Sequence, residues 1–147
     1  MFENRKVGDT FNDALMSIDG ADFLMAMSYV KSFHTYKFKK MGLRYEVGLN
    51  IKTGHICWWH GPLPPGDMND DMIFNDALTS WLEHGEQVEA DLGYKASAPT
   101  HVNCPTIEVP SRAGMTARVR LRHETCNKRF KKWNILKVAY SRAILGH

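Results

Sequence analysis

The sequence predicts a single mixed α/β domain, because patterns typical of strands and of helices alternate along a chain of ordinary domain length. The chain has 147 residues, of which 44% are hydrophobic and 24% are charged, as in globular domains that bury their own core. Residues 44–51 alternate apolar with polar or small side chains, whereas residues 115–133 contain neither proline nor glycine. The predicted order of strand, hairpin, helix, strand, loop and helix indicates a mixed sheet.

The first half of the chain is predicted to form strands. Residues 14–18 are mostly apolar and should form a buried strand that stops in a turn at Asp19 and Gly20. The alternating residues 44–51 and the returning strand of residues 55–60 flank Lys52-Thr53-Gly54, which is typical of a hairpin. Residues 61–66 contain three prolines and are predicted to form a loop.

The second half should contain two helices. Asn69 or Asp70 can cap a helix whose apolar residues recur at helical spacing as far as Leu82, before His84 and Gly85. Residues 87–90 are predicted to form a short strand that stops at Asp91. Residues 96–110 contain three prolines and no periodicity, which predicts an irregular loop before the final helix. The tryptophans at 58, 59 and 81 are predicted to lie in the core.

Charge is distributed very unevenly. Residues 1–111 carry nine basic and fifteen acidic side chains, whereas residues 112–147 carry ten basic side chains and one acidic side chain, Glu124. Such a segment is typical of a surface that faces a polyanion, although a basic tail without a partner gives the same pattern. A lone carboxylate there would repel phosphates unless it held a divalent cation, so Glu124 is a candidate metal ligand.

Two further carboxylates complete the candidate site. Asp19 and Asp91 each follow a short strand, and if those strands are parallel neighbours, both reach the same edge of the sheet. Hard oxygen ligands of this kind favour Mg²⁺ or Mn²⁺ over zinc. The alternatives are two satisfied turn aspartates and an ion pair of Glu124 with Arg120 or Lys128, four residues away.

The final helix has an apolar seam and a basic face. Residues 115, 119, 126, 130 and 133 form the seam, and Glu124 lies on the opposite side. If the seam packed squarely on the sheet, Glu124 would point away from Asp19 and Asp91. The candidate contacts to a nucleic-acid backbone are Arg118, Arg120, Arg122, Lys128 and Lys131.

Two weaker patterns remain open. Lys37, Lys39 and Lys40 are either a second phosphate-contacting loop or an ordinary solvated turn. Residues 101 and 104, with residues 123 and 126, form two His-x-x-Cys pairs that could hold zinc, although zinc sites more often place cysteines together.

Five segments together resemble a known family, in which they occur in the same order. They are SIDGAD (17–22), GLRYEVG (42–48), GPLPPG (61–66), EADLGY (89–94) and RHETCN (122–127). The chain, from about residue 2 to its end, is similar to the DDE superfamily endonuclease domain, and most of all to Harbinger-type transposases and their domesticated relatives. In that family the first aspartate, the second aspartate and the glutamate match Asp19, Asp91 and Glu124.

The resemblance implies an RNase H-like fold, with a mixed sheet flanked by helices. Residues 1–147 would be a single DDE-type endonuclease domain, truncated at both ends relative to the family. Its activity would be metal-dependent DNA cleavage and strand transfer, with Mg²⁺ or Mn²⁺ held by Asp19, Asp91 and Glu124.

The resemblance also implies DNA as the partner and a nuclear location, and it leaves open a homo-oligomer or a separate DNA-binding subunit. An odd number of cysteines and the lack of an apolar N-terminal segment favour an intracellular protein, and no apolar run is long enough to span a membrane. Two other hypotheses remain: a non-catalytic nucleic-acid-binding remnant, and an interaction domain whose basic helix binds an acidic protein surface.

Overall fold

A mixed β-sheet with helices packed on it confirms the predicted mixed α/β class. The computed structural model describes residues 2–6, 14–26, 28–84, 86–91, 94, 102–103 and 110–132, and gives only the backbone of residues 5, 102–103 and 110–119. Within these residues there are six strands and two α-helices. The strands are β1 (Met16–Leu24), β2 (His34–Thr35), β3 (Lys40–Asn50), β4 (Ile56–Leu63), β5 (Val88–Glu89) and β6 (Val102–Asn103). The helices are α1 (Asp70–Asp76) and α2 (Pro110–Phe130), and short 3₁₀ helices cover Phe2–Lys6, Lys31–Phe33 and Leu78–Trp81.

Strand β1 lies at the centre of the sheet. It pairs antiparallel with β3 on one side and parallel with β5 on the other, and β5 pairs parallel with β6. The far edge of β3 pairs antiparallel with β4 and with β2. The strands that precede Asp19 and Asp91 are therefore parallel neighbours, which is the condition that the candidate site requires.

Strand β1 is longer than its sequence predicts. The turn expected at Asp19 and Gly20 is wrong, because β3 supplies a partner for every residue of β1, from Met16 opposite Asn50 to Leu24 opposite Gly42. Gly20 lies within the strand, where a Cβ would come 2.8 Å from Oδ1 of Asp70. The glycine thus permits a close approach to the sheet rather than a turn.

The predicted hairpin is confirmed. The side-chain oxygen of Asn50 accepts hydrogen bonds from the backbone N–H groups of Lys52 at 2.9 Å and Thr53 at 2.7 Å, and Gly54 adopts a φ of +73°. These are the local contacts that a tight turn needs. Strand β4 continues to Leu63, so the proline-rich loop begins later than predicted.

Helix α1 is capped by Asn69, one of the two predicted caps, whose side chain accepts a hydrogen bond from the backbone N–H of Met72 at 2.8 Å. The helix is shorter than predicted, because a 3₁₀ turn replaces its second half. Trp58 is 9% exposed, as predicted, and Trp59 is half-buried. Trp81 is 59% exposed, so its predicted core position is wrong.

The last third differs from its prediction in two places. Strand β6 lies within the predicted irregular loop, where its pairing with β5 supplies order that the sequence pattern does not show. Helix α2 begins at Pro110, five residues before the predicted start. Within the described residues, no helix combines the length and the apolar character needed to cross a membrane.

Two apolar clusters lie on opposite faces of the sheet. Met16 and Ile18 belong to the cluster beneath α1, whereas Ala21 and Phe23 belong to the cluster that packs against α2. Successive residues of a strand point to opposite faces, so the odd-numbered residues of β1 face α2. Asp19 therefore faces α2, the helix that carries Glu124.

Candidate metal centre

A cleft of about 340 Å³ lies between helix α2 and the strands β1 and β5. Its lining includes the three carboxylates that the sequence predicts as catalytic and metal-binding groups, Asp19, Asp91 and Glu124. The remaining polar residues of the lining are Ser17, Lys37, Glu89, Arg120, His123 and Asn127. The fold thus brings the predicted carboxylates to one cavity, although they are up to 105 positions apart in the chain.

The parallel pairing of β1 with β5 directs two of these carboxylates to the same end of the sheet. Met16 lies opposite Val88 and Ser17 lies opposite Glu89, and Asp19 and Asp91 each follow the last of these pairs by two residues. The two carboxylates line the same cleft, and the charge of Asp91 acts on Asp19. Because β5 ends at Glu89, no strand among the described residues lies beside that edge of β1 beyond this point. The half-buried Asp19 and the exposed Asp91 therefore border an opening at the carboxyl end of β5.

Polar contacts align helix α2 along β1. The Oγ of Ser17 lies 2.8 Å from Nε2 of the buried His123, and Nδ2 of Asn127 donates to Oδ2 of Asp19 at 3.5 Å. Further along, the rings of Phe23 and Phe130 are 6.1 Å apart. Contacts every two to four residues along the strand and every three to four along the helix keep the two elements in register.

The orientation of α2 resolves the conflict that the sequence raises. Cys126 and Phe130 do pack against the sheet, as the predicted seam requires, but His123 is buried beside them. The face of α2 that meets the sheet therefore includes His123, and Glu124, the next residue, borders the cleft instead of pointing away from it. His123 was missed as a packing residue, since one histidine between an arginine and a glutamate gives no sequence signal.

Glu124 lies at the rim of the cleft. Its side chain is 63% exposed, and its Oε2 is 3.9 Å from Nζ of Lys128, the ion pair that the sequence raises as an alternative. Among the residues that the structure describes, no three His, Cys, Asp or Glu side chains are grouped closely enough to hold a metal ion. The carboxylates thus share a cavity without forming a finished coordination shell.

The alternative zinc site gains no support. Residues 101 and 104 lie outside the described residues. His123 is engaged with Ser17, and Cys126 packs in the apolar cluster beneath α2.

Negative charge accumulates around Asp19. Its pKa is raised to about 6, first by burial and then by the negative charges of Asp91 and Asp70, against the smaller opposing effect of Lys37. Burial also raises the pKa of Asp70, where Arg44 acts in the opposite direction and Asp91 adds to the rise. Clustered carboxylates of this kind are stabilised by a cation, and their oxygens are the ligands that Mg²⁺ and Mn²⁺ prefer. The donor chemistry therefore fits such an ion.

Asp70 reaches this acidic group from the opposite face of the sheet. Arg44 donates two hydrogen bonds to Asp22, at 2.7 Å and 3.0 Å, and a third to Oδ1 of Asp70 at 3.0 Å. Asp70 borders a second cavity of about 130 Å³, which Asp19 and Asp91 also line. Because Asn69 is the helix cap, the Asp70 carboxylate contacts Arg44 instead of capping the helix.

The predicted backbone-contacting residues are distributed over several places. Arg120 lines the cleft, Lys131 lines the second cavity, and Lys128 is exposed beside Glu124. Arg122 lies near the hairpin instead, where its Cδ is 3.7 Å from the position of a Cβ on Gly54. The side chain of Arg118 lies outside the described part of α2.

Comparison of the chain with models of known protein families, with curated proteins and with solved structures finds no match. The fold and the site therefore define the class: a mixed α/β domain with a carboxylate-lined cleft beside a basic helix.

Proposed function

We propose that the chain is a divalent-metal-dependent DNA endonuclease and strand-transfer domain of the transposase type, with an RNase H-like fold. The observation that carries this proposal is the parallel pairing of β1 with β5, which brings Asp19 and Asp91 to the same end of the sheet, in a cleft that Glu124 also lines. The RNase H-like arrangement is supported by two strands. The central strand β1 carries Asp19, and the parallel strand β5 beside it precedes Asp91. DNA as the partner and a nuclear location follow from the proposal.

In this proposal Asp19 and Asp91 hold Mg²⁺ or Mn²⁺, and Glu124 completes the site from the helix. A bound metal supplies activation of a water and stabilisation of the leaving oxygen of a phosphodiester. The chain itself contributes cations at the rim, where Arg120 and Lys37 can contact phosphate oxygens. The exposed contact of Glu124 with Lys128 is a weak restraint, because surface ion pairs contribute little.

One observation favours a second function, a nucleic-acid-binding remnant without turnover. In the described part of the chain the carboxylates border one cavity but are not grouped as metal ligands. A remnant would keep the basic rim of the cleft and lose the ability to assemble the metal site.

The test is nicking of supercoiled plasmid DNA in Mn²⁺ by the wild type, Asp19→Asn and Glu124→Gln. Asp67→Asn is the matched control, because Asp67 is an exposed aspartate outside the cleft. The proposal expects nicking by the wild type and the control, and a loss of at least about a hundredfold in the two cleft variants. Equal nicking by all four proteins, or none by any, would overturn it.

Binding measured in the same samples separates the alternatives. Salt-dependent DNA binding without nicking supports the remnant. Neither binding nor nicking supports an interaction domain whose basic helix contacts an acidic protein.

A further inference from the structure

Three aromatic side chains form a row, here called the aromatic strip: Tyr29, His34 and Tyr36. The two tyrosines are exposed and His34 between them is half-buried. The ring of His34 lies 5.7 Å from the ring of Tyr29 and 5.4 Å from the ring of Tyr36. Tyr29 is 71% exposed and Tyr36 is 70% exposed. Large rings that are held together and yet left in solvent are typical of binding surfaces.

The surroundings of the strip are basic. Residues 23–45 contain four lysines and one arginine and no acidic residue, although the first 111 residues carry a net negative charge. The four lysines, at positions 31, 37, 39 and 40, are all exposed. Exposed rings between lysines favour a polyanionic partner with flat faces, which is the chemistry of nucleic acid.

Lys37 connects the strip to the cleft. It follows Tyr36 directly in the chain and lines both cavities that Asp19 lines. The ammonium groups of Lys37 and Lys131 lie 5.7 Å and 5.4 Å from the centre of the Phe38 ring. Neither lysine forms an ion pair with a carboxylate in the part of the chain that the structure describes, so two positive charges remain available around the second cavity, which both lysines line.

We propose that the aromatic strip binds single-stranded nucleic acid, with unpaired bases stacked on Tyr29 and Tyr36 and the backbone held by Lys37 and Lys39. Stacking requires bases whose faces are accessible, and the faces of paired bases inside a duplex are covered by their neighbours. The strip would hold the strand that leaves the cleft, a role that rests on the proposed nuclease function. The binding itself requires neither the metal nor the carboxylates.

The test is fluorescence anisotropy with a labelled oligothymidylate, in EDTA, on the full chain. Tyr29→Ala and Tyr36→Ala should each weaken binding about tenfold, as expected for the loss of one stacked base. Lys39→Ala should reduce the slope of log affinity against log salt by about 0.7. The matched controls, Trp81→Ala and Lys52→Ala, remove an exposed aromatic and an exposed lysine elsewhere and should bind like the wild type.

Three results would overturn the proposal. The first is that Trp81→Ala weakens oligothymidylate binding as much as the tyrosine variants do. The second is that oligothymidylate binds equally well after Tyr29 or Tyr36 is replaced. The third is self-association that the two tyrosine variants abolish in light scattering, without any oligonucleotide binding, since the strip would then be an interface between copies.

The plasmid assay keeps this proposal separate from the proposed function. Tyrosine-dependent binding of oligothymidylate without nicking by any protein supports the strip and contradicts the nuclease. Nicking that depends on Asp19, with oligothymidylate binding that does not depend on the tyrosines, supports the nuclease and contradicts the strip.

Discussion

Replacement of Asp19 by asparagine removes one negative charge from a cleft that Asp91 also lines and that lies close to Asp70. Burial of Asp19, and after it the negative charges of Asp91 and Asp70, raise the pKa of Asp19 from 3.8 to about 6. Since one pKa unit corresponds to about 1.4 kcal/mol, the ionised carboxylate lowers the free energy of unfolding by up to about 3 kcal/mol. Partial solvent exposure reduces this to about 2 kcal/mol. We therefore expect Asp19→Asn to stabilise the protein at neutral pH.

The sign of the pH dependence follows from proton binding. Between pH 3.8 and about 6 the folded state holds the proton of Asp19 more tightly than the unfolded state does. The free energy of unfolding of the wild type therefore falls as the pH rises through this window and stays lower above it. Asp19→Asn lacks this titration, so its advantage should be full above pH 6 and should disappear below pH 3.8.

Urea unfolding followed by tryptophan fluorescence measures this difference, because Trp58 lies in the core. Asp67→Asn is the control for loss of a surface charge. Burial raises the pKa of Glu46 to about 7, so Glu46 titrates in an overlapping pH window. Its contribution is the same in every variant and therefore cancels when their free energies of unfolding are compared. Destabilisation of Asp19→Asn at neutral pH, or a gain that is equal at all pH values, would refute the reasoning.

Mn²⁺ should make the wild type more stable than Asp19→Asn, which reverses their order in the absence of metal. A cation that binds the folded cleft stabilises it by about 2.7 kcal/mol at a concentration of a hundred times Kd. This gain should appear in the wild type and in Asp67→Asn, and it should be much smaller in Asp19→Asn. Equal stabilisation of all three proteins by Mn²⁺ would show that the ion binds elsewhere.

Two further substitutions test the supports of the site. Ser17→Ala leaves the buried His123 without its hydrogen-bond partner at 2.8 Å, so it should lower the free energy of unfolding by about 1–3 kcal/mol. Thermal unfolding measures this loss. An unchanged Tm would mean that the contact does not hold α2 in place. Glu46→Gln removes a buried carboxylate that accepts a hydrogen bond from Trp58 at 2.8 Å. Because burial raises the pKa of Glu46 from 4.5 to about 7, the substitution should raise the free energy of unfolding by up to about 3 kcal/mol above pH 7 and should not change it below pH 4.5. A gain for Glu46→Gln that does not vary with pH would contradict this explanation.

Local chemistry made part of the fold predictable. Asn50, the residues of the hairpin turn and the Asn69 cap make their contacts within a few positions of the chain, so short-range patterns identify them. The strand before Asp91 was also predictable, and β5 (Val88–Glu89) lies within the predicted residues 87–90.

Other features depend on partners that are distant in the chain. Strand β1 passes Gly20 because β3 continues to pair with it, and Asp70 fills the space that a side chain at Gly20 would occupy. Trp81 is exposed because the second half of the predicted α1 helix is a 3₁₀ turn. Neither outcome follows from the residues beside these positions.

The sequence alone predicts the mixed α/β class and the hairpin, and its uneven charge singles out Glu124. It also singled out Asp19 and Asp91, although the strand end predicted at Asp19 is wrong because β1 continues to Leu24. The parallel pairing of β1 with β5 and the position of Glu124 at their cleft appear only once the chain is folded. The rotation of α2 depends on the contact between Ser17 and His123, which are 106 positions apart, and no local pattern records a contact across that distance.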